Sequence, residues 1–228
     1  VIHCSAYTAV DKAEEEPLLC EMVNEKGTYF IAEACKEIDA KMMYISTDYV
    51  FPGIGEAEYE IYDLTGPLNV YGRTKLAGEQ AVKELLYKYF IVRVSWVFGI
   101  NGNNFVKTML RIGKERKEVN VVYDQIGSPT YTVDLAELLC DMIITDKYGI
   151  YHATNEGYCS WAEFAEEIFM LAGYSTRVNR IASSEYKMRA VRPLNSRLSK
   201  KSLDKEGFKR LPDWKDALRR FINDLDNE

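Results

Sequence analysis

The chain has only two histidines, no Cys-x-x-Cys spacing and no block of like charge. A zinc site or a Ser/His triad therefore finds no support in its inventory of ligands and bases. No apolar run approaches the ~20 residues that cross a bilayer, and nothing at the start of the chain reads as a signal peptide. Neither Gly-x-Gly-x-x-Gly nor Gly-x-x-Gly-x-x-Gly occurs, so the usual glycine turn for a dinucleotide's pyrophosphate is absent from these residues. The five cysteines, Cys4, Cys20, Cys35, Cys140 and Cys159, are odd in number and scattered. They read as buried thiols in a reducing compartment. A net charge of −6, with acids and bases interleaved, argues against a nucleic-acid-binding surface. The expectation is a cytoplasmic globular protein with neither a membrane nor a nucleic acid as partner.

What is present suits a real core. The 228 residues are 47% hydrophobic and 28% charged, enough for one sizeable domain or one and a half ordinary ones. Val1-Ile2-His3-Cys4 reads as a buried strand. Segment 18–38 has helical periodicity through Leu19, Met22, Val23, Phe30, Ile31, Ala34 and Ile38. A short apolar strand at 42–46, a Gly/Pro-rich loop at 48–70, a helix at 71–88 and a third strand at 90–96 follow. Strands alternating with helices of this length predict an α/β fold with a Rossmann-type, doubly wound parallel sheet. Beyond Gly99 the rhythm loosens. The pattern gives a helix near 104–116, a strand at 119–123, a turn at Gly127-Ser128-Pro129 and a strand at 149–153. Helix 132–145 carries a stripe of Ala136, Leu139, Cys140, Ile143 and Ile144. Ser160 and Glu163 form a capping box for a helix that Gly173 closes, and 213–225 gives a last helix.

Tyr71-Gly72-Arg73-Thr74-Lys75 puts a phenol and an ammonium four apart on one helix face. A nearby positive charge favours the phenolate, so such a pair can protonate a carbonyl oxygen as hydride arrives. About one such spacing is expected by chance in a chain this rich in tyrosine and lysine, and context must carry the claim. Ser46-Thr47-Asp48 ends a strand, where open α/β sheets place their ligands. Alone it is ordinary turn chemistry; beside a Tyr/Lys helix at the same edge, the balance shifts to a site. Ala6-Tyr7-Thr8 leaves the first strand at that edge, as a cofactor-facing turn or a plain loop exit. Asn24, a poor mid-helix residue, either bonds a neighbouring strand or joins a proton path, with the structural role favoured. Trp96 could wall a sugar or base pocket or fill the core. For Arg189, Arg192 and Arg197 surface charge is the favoured reading over a diphosphate site. His3 and His152 lie in strand-like runs.

Longer stretches resemble the dTDP-4-dehydrorhamnose reductase family of the extended short-chain dehydrogenase/reductase superfamily. They are Ala6 to Glu14, Ser46 to Phe51, Pro67 to Glu79, Gly102 to Met109, Asp124 to Tyr131 and Arg192 to Leu198. The resemblance covers essentially the whole chain. It implies NADPH- or NADH-dependent reduction of the 4-keto group of a dTDP-sugar. Within it Tyr71 is the proton donor, Lys75 binds the nicotinamide ribose and lowers the phenol's pKa, and Thr47 tunes the proton transfer. Ala6, Tyr7 and Thr8 line the cofactor together with Tyr71 and Lys75. Thr47, Asp48, Val10 and Trp96 contact the sugar, and Asn104 helps hold the diphosphate. No metal is implied, and a homodimer is one arrangement left open.

Residues 1–100 and 131–153 are expected to form the nucleotide-binding domain, and 101–130 with 154–228 a smaller substrate domain. Family members begin with a Gly-rich strand, turn and helix, so the resemblance implies about sixty residues ahead of Val1. The first strand should then be a bare apolar edge, and a protein of these residues alone should aggregate or borrow a strand and bind NADPH weakly. Two rival functions remain: a reductase or epimerase of another nucleotide sugar, and a non-catalytic regulatory subunit that keeps the fold.

Overall fold

The computed structural model describes residues 1–226, so the last two positions of the expected substrate domain lie outside the described residues. The chain opens on β1 (Ile2–His3) and two short helices, α1 (Val10–Ala13) and α2 (Pro17–Glu21). A π-helical turn (Met22–Lys26) leads straight into α3 (Gly27–Glu37). Next come β2 (Met42–Thr47), a 3-10 turn (Asp48–Val50), α4 (Val70–Leu85) and β3 (Tyr89–Val94). Then follow β4 (Val97–Phe98), α5 (Phe105–Glu115), β5 (Glu118–Val122), β6 (Ile126–Gly127) and β7 (Thr130–Tyr131). The chain continues through α6 (Thr132–Ile143), β8 (Gly149–His152), β9 (Cys159–Ser160), α7 (Trp161–Leu171) and β10 (Arg177–Ile181). β11 (Asn195–Ser196), α8 (Lys201–Glu206) and α9 (Trp214–Asp226) complete it.

Four strands pair in parallel in the order β1-β2-β3-β8. Side chains alternate across the sheet. Met42, Tyr44 and Ile91 pack on Ala32, Cys35 and Val82 of α3 and α4, while Met43, Phe90 and Val92 pack on Leu135, Leu138, Leu139 and Met142 of α6. Both faces are covered, which is why β2 and β3 read as apolar runs rather than alternating ones. The doubly wound α/β expectation holds. α4 lies hard against the sheet because a Cβ at Gly78 would stand 2.4 Å from the Tyr44 hydroxyl and 2.7 Å from the Asn24 carbonyl oxygen. A second layer holds the β5–β10 pair, the β11-β6-β9 sheet and the β4–β7 pair. Its core unites Val106 and Met109 of α5, Phe164 and Ile168 of α7, and Leu218 and Phe221 of α9. The Ser160–Glu163 capping box opens α7 as expected. No described helix is long and apolar enough to cross a membrane.

Several sequence expectations need correction. Among the described residues β1 pairs with β2 alone, so the buried-strand reading gives way to the bare apolar edge also expected: Val1 and Ile2 are exposed and His3 is its buried residue. Cys4 and Cys140 are exposed thiols, whereas Cys20, Cys35 and Cys159 are buried. In segment 18–38 the inward face is Cys20, Asn24, Thr28, Ala32 and Cys35, while Leu19, Met22, Phe30 and Ile38 face solvent. The π-helical turn inserts an extra residue and rotates the register, and the polar partners of Asn24 and Thr28 draw that face inward. In α6 the buried stripe is Leu135, Leu138, Leu139 and Met142, one position away from the expected one, and Cys140 and Ile144 are exposed. Asp134, bonded to Asn155 and Arg220, turns that side toward the core. The strand expected to reach Trp96 ends at Val94, and the helix expected to reach residue 88 ends at Leu85. β10 gave no apolar signal because its side chains are largely polar.

Candidate active site

The C-terminal ends of β1, β2 and β3 lie side by side, and the chain turns there into Ala6–Thr8, Thr47–Tyr49 and Ser95–Trp96. α4 brings Tyr71 and Lys75 to the same edge. Its start is fixed by Asn69, whose side-chain oxygen caps the Gly72 N–H at 2.8 Å, and by Glu14, which accepts the Val70 N–H at 2.7 Å. Tyr71 sits in its first turn and packs with Tyr7, Val70, Ala13 and Cys20.

Burial pushes the Tyr71 phenol above its ordinary range, and the Thr47 side chain, a hydrogen-bond partner of the phenol, works the other way. The phenol therefore keeps its proton at neutral pH and can donate it. Lys75 is nearly inaccessible. Burial, opposed by the Glu79 charge, lowers its ammonium to about 7. Its Nζ donates to the Ile45 carbonyl oxygen at 2.7 Å and lies 4.0 Å from the centre of the Tyr44 ring. The Lys75 ammonium is directed at β2 and Tyr44, and desolvation is the largest influence on the phenol. Thr47 Oγ1 donates to Asp48 Oδ1 at 3.0 Å and accepts the Tyr49 N–H at 3.2 Å. Asp48 is buried and pushed up to about 6 by desolvation, against hydrogen bonds from Ser196 and Thr47.

On the β1 side, Asn24 grips the backbone of Tyr7 from both directions. Its Oδ1 accepts the Tyr7 N–H at 2.7 Å and its Nδ2 donates to the Tyr7 carbonyl oxygen at 3.2 Å. The same amide reaches Thr74 Oγ1 at 3.1 Å, one residue from Lys75. It sits in the π-helical turn, a feature frequent at functional sites. These contacts are structural, as favoured from its sequence position, though they reach the Ala6–Thr8 loop and α4 rather than a strand. Tyr7 donates its hydroxyl to Glu16 at 2.7 Å, leaving Ala6 partly exposed and Thr8 exposed along the loop.

On the other side Val10 opens α1, and Trp96 follows β3 with φ of 49°. A left-handed tryptophan is a genuine strain, of the kind that collects at functional sites. Its indole stacks on Trp161 with 3.7 Å between centroids, above Gly127, where a Cβ would come within 2.8 Å. Asn104 is the N-cap of α5. Its Oδ1 accepts the Lys107 N–H at 3.0 Å and its Nδ2 donates to Gly99 O at 2.8 Å. The cap uses Oδ1, and Nδ2 carries a second hydrogen that a diphosphate oxygen can take with the cap intact. Tyr49 was not read from the sequence, yet its ring meets Tyr71 edge-on at 5.5 Å. Arg192, read as surface charge, is fixed: it donates to Asp11 at 2.6 Å and to the Tyr49 hydroxyl at 3.1 Å. Among the described residues no cluster of His, Cys, Asp and Glu could hold a metal ion.

A family model described as the RmlD substrate binding domain matches residues 1–227. The dTDP-4-dehydrorhamnose reductase of Escherichia coli K12 is 40% identical over 236 residues, covering 99% of this chain and 79% of that protein. The chain belongs to the dTDP-4-dehydrorhamnose reductase family. A crystal structure of the Bacillus anthracis dTDP-4-dehydrorhamnose reductase, in complex with NADP, superposes with a TM-score of 0.96 at 48% identity. That match covers 98% of this chain and 79% of the other. A dTDP-glucose 4,6-dehydratase from Streptomyces venezuelae shares the fold at 15% identity with a TM-score of 0.83, covering 100% of this chain and 73% of the other.

The buried lysine of this family member has a measurable signature in stability. Its folded pKa of about 7 lies below the ordinary 10.5. From about pH 7 to 10.5 the unfolded chain holds a proton that the folded chain does not, so this residue makes stability rise with pH across that window. Below about 7 both states are protonated and the full cost of the buried charge remains. Compared with Lys75→Met by calorimetry, the wild type should gain up to ~3 kcal/mol between pH 7 and 9. A difference independent of pH would show a solvated ammonium.

Proposed function

We infer that this chain reduces the 4-keto group of dTDP-4-dehydro-L-rhamnose to give dTDP-L-rhamnose, with NADPH, or NADH, as the reductant. What supports the reading is Tyr71 in the first turn of α4 beside Thr47 at the strand ends, with Lys75 one turn further on, in a chain 48% identical to a reductase seen with NADP. The residues present fit the nicotinamide-ribose end of such a nucleotide; the glycine turn for its pyrophosphate is not among them. Lys75 gives one N–H to the Ile45 carbonyl oxygen and keeps at least one more for a ribose diol in either protonation state. The Tyr7 backbone is already anchored by Asn24, so the Ala6–Thr8 loop offers a preset wall.

When bound, the cofactor supplies a hydride to the sugar's C4. Tyr71 gives its proton to the O4 that becomes the hydroxyl, so atoms and charge balance. Thr47 orients the phenol through its oxygen, its own proton lying on Asp48. Lys75 with Ala6, Tyr7 and Thr8 holds the cofactor, while Val10, Asp48 and Trp96 face the sugar. Residues 1–100 and 131–153 serve the cofactor, and 101–130 with 154–228 the nucleotide sugar. The reading places the protein in the cytoplasm, where the five free thiols stay reduced.

Nucleotide choice tests the assignment. NADPH oxidation with the dTDP-linked 4-keto sugar should exceed that with UDP- or GDP-linked 4-keto sugars by about tenfold or more in kcat/KM. Equal or inverted preference would assign another nucleotide sugar. No oxidation with any of them would favour a regulatory subunit.

A further inference from the structure

The segment from Tyr186 to Leu194 has no helix or strand, yet it is bonded to three elements near Tyr71: α1, the 3-10 turn after β2 and the cap of α4. On α1, Asp11 Oδ1 accepts the N–H groups of Arg189 and Ala190 at 3.2 and 3.1 Å, and Oδ2 accepts Arg192 Nη2 at 2.6 Å. On the 3-10 turn after β2, the Tyr49 hydroxyl accepts Arg192 Nη1 at 3.1 Å. At the cap of α4, Asn69 Nδ2 donates to the Val191 carbonyl oxygen at 2.8 Å, while its Oδ1 holds the Gly72 N–H. Arg192 Nε also meets Met188 Sδ at 2.9 Å, bracing the guanidinium from within the strap. Close packing of Pro193 on Gly53 fixes the strap's far end.

We propose that Tyr49 is a positioning residue for Tyr71, held by an Arg192–Asp11 latch that fastens this strap over the reaction centre. The geometry sets the roles. Arg192 presents a rigid planar fork, one arm on a carboxylate and the other on a phenol. The fork fixes where the Tyr49 ring stands. That ring meets Tyr71 at 5.5 Å and 76°, the edge-to-face arrangement aromatic pairs prefer. Tyr49 thereby limits the swing of the Tyr71 ring, and a small misplacement of a proton donor is costly to the reaction. The inference rests on the reductase reading for its kinetic test.

Three variants of the full chain decide it: Tyr49→Phe, Arg192→Gln and the double substitution. Tyr49→Phe keeps the ring and removes only the latch hydroxyl, so it informs even where Arg192→Gln folds poorly. Each single variant should lower kcat about 3- to 10-fold with KM for the nucleotide sugar changed less than about twofold. The double variant should lose no more than the worse single one, because both break one link. A raised KM at unchanged kcat in Arg192→Gln would overturn the proposal, since the guanidinium would then be reading substrate phosphate. Additive losses, or unchanged kcat in Tyr49→Phe, would also overturn it. Failure of the wild type to turn over the sugar would instead refute the function proposed above. The latch then still has its own readout: the ring-carbon NMR signal of Tyr71, assigned with Tyr71→Phe, should move in both single variants. An unmoved signal overturns the latch whatever the substrate.

Discussion

Tyr71→Phe is expected to lower kcat by about 10²–10⁴-fold while NADPH binds nearly as well as to the wild type. The substitution removes one oxygen from a ring whose packing with Tyr7, Val70, Ala13 and Cys20 is otherwise kept, so the fold has no reason to change. Because burial holds the phenol's proton, Tyr71 stays a donor across the working pH range, and a pH dependence near neutrality should come from Lys75 and persist in the variant. Steady-state kinetics beside a cofactor titration separate the two effects. Near-wild-type turnover would remove Tyr71 from the chemistry and leave the Tyr71–Lys75 spacing as coincidence.

Glu79→Gln is expected to have the largest effect on stability. Glu79 lies two turns beyond Tyr71 on α4 and is fully buried, with Arg93 of β3 donating to it through Nε at 2.9 Å and Nη2 at 2.8 Å. Ser46 of β2 adds its hydroxyl at 2.5 Å. One carboxylate thus ties the helix of Tyr71 to the strand of Thr47 and to its neighbour. The Arg93 side chain is only 3% exposed, and the amide would leave its charge buried without a counter-charge. Losing one partner of such a pair costs about 3–5 kcal/mol, a fall in melting temperature on the order of 10 °C for a chain this long. Calorimetry checks it. A loss under about 1 kcal/mol would mean that water reaches the guanidinium.

The parts of this fold that were legible in sequence are those where one local signal dominates. β2 and β3 are short apolar runs because the sheet is covered on both faces, and the Ser160–Glu163 box marks its helix start without help from tertiary structure. Tyr71, Lys75 and Thr47 could be assembled from a helix spacing and a strand end. The inward face of α2 and α3 could not, because a π-helical turn breaks the 3.6-residue period and Asn24 and Thr28 are buried through partners far along the chain. Arg192 was unreadable for a similar reason. It meets Asp11 and Tyr49 across 181 and 143 residues of chain, and nothing near Arg192 in sequence reports that. Glu79 did carry a signal, standing four residues after Lys75 on the same helix face, but only the fold reveals that Arg93 lies opposite.

The most direct test of hydride delivery to the sugar's C4 is a labelled turnover with NADPH carrying deuterium at the transferable position of its nicotinamide ring. With dTDP-4-dehydro-L-rhamnose as acceptor, the product should be dTDP-L-rhamnose with a single deuterium at C4 of the hexose, read by mass spectrometry and NMR. Oxidation of NADPH without label in the sugar, or label at any other carbon, would contradict the reaction assigned to this chain.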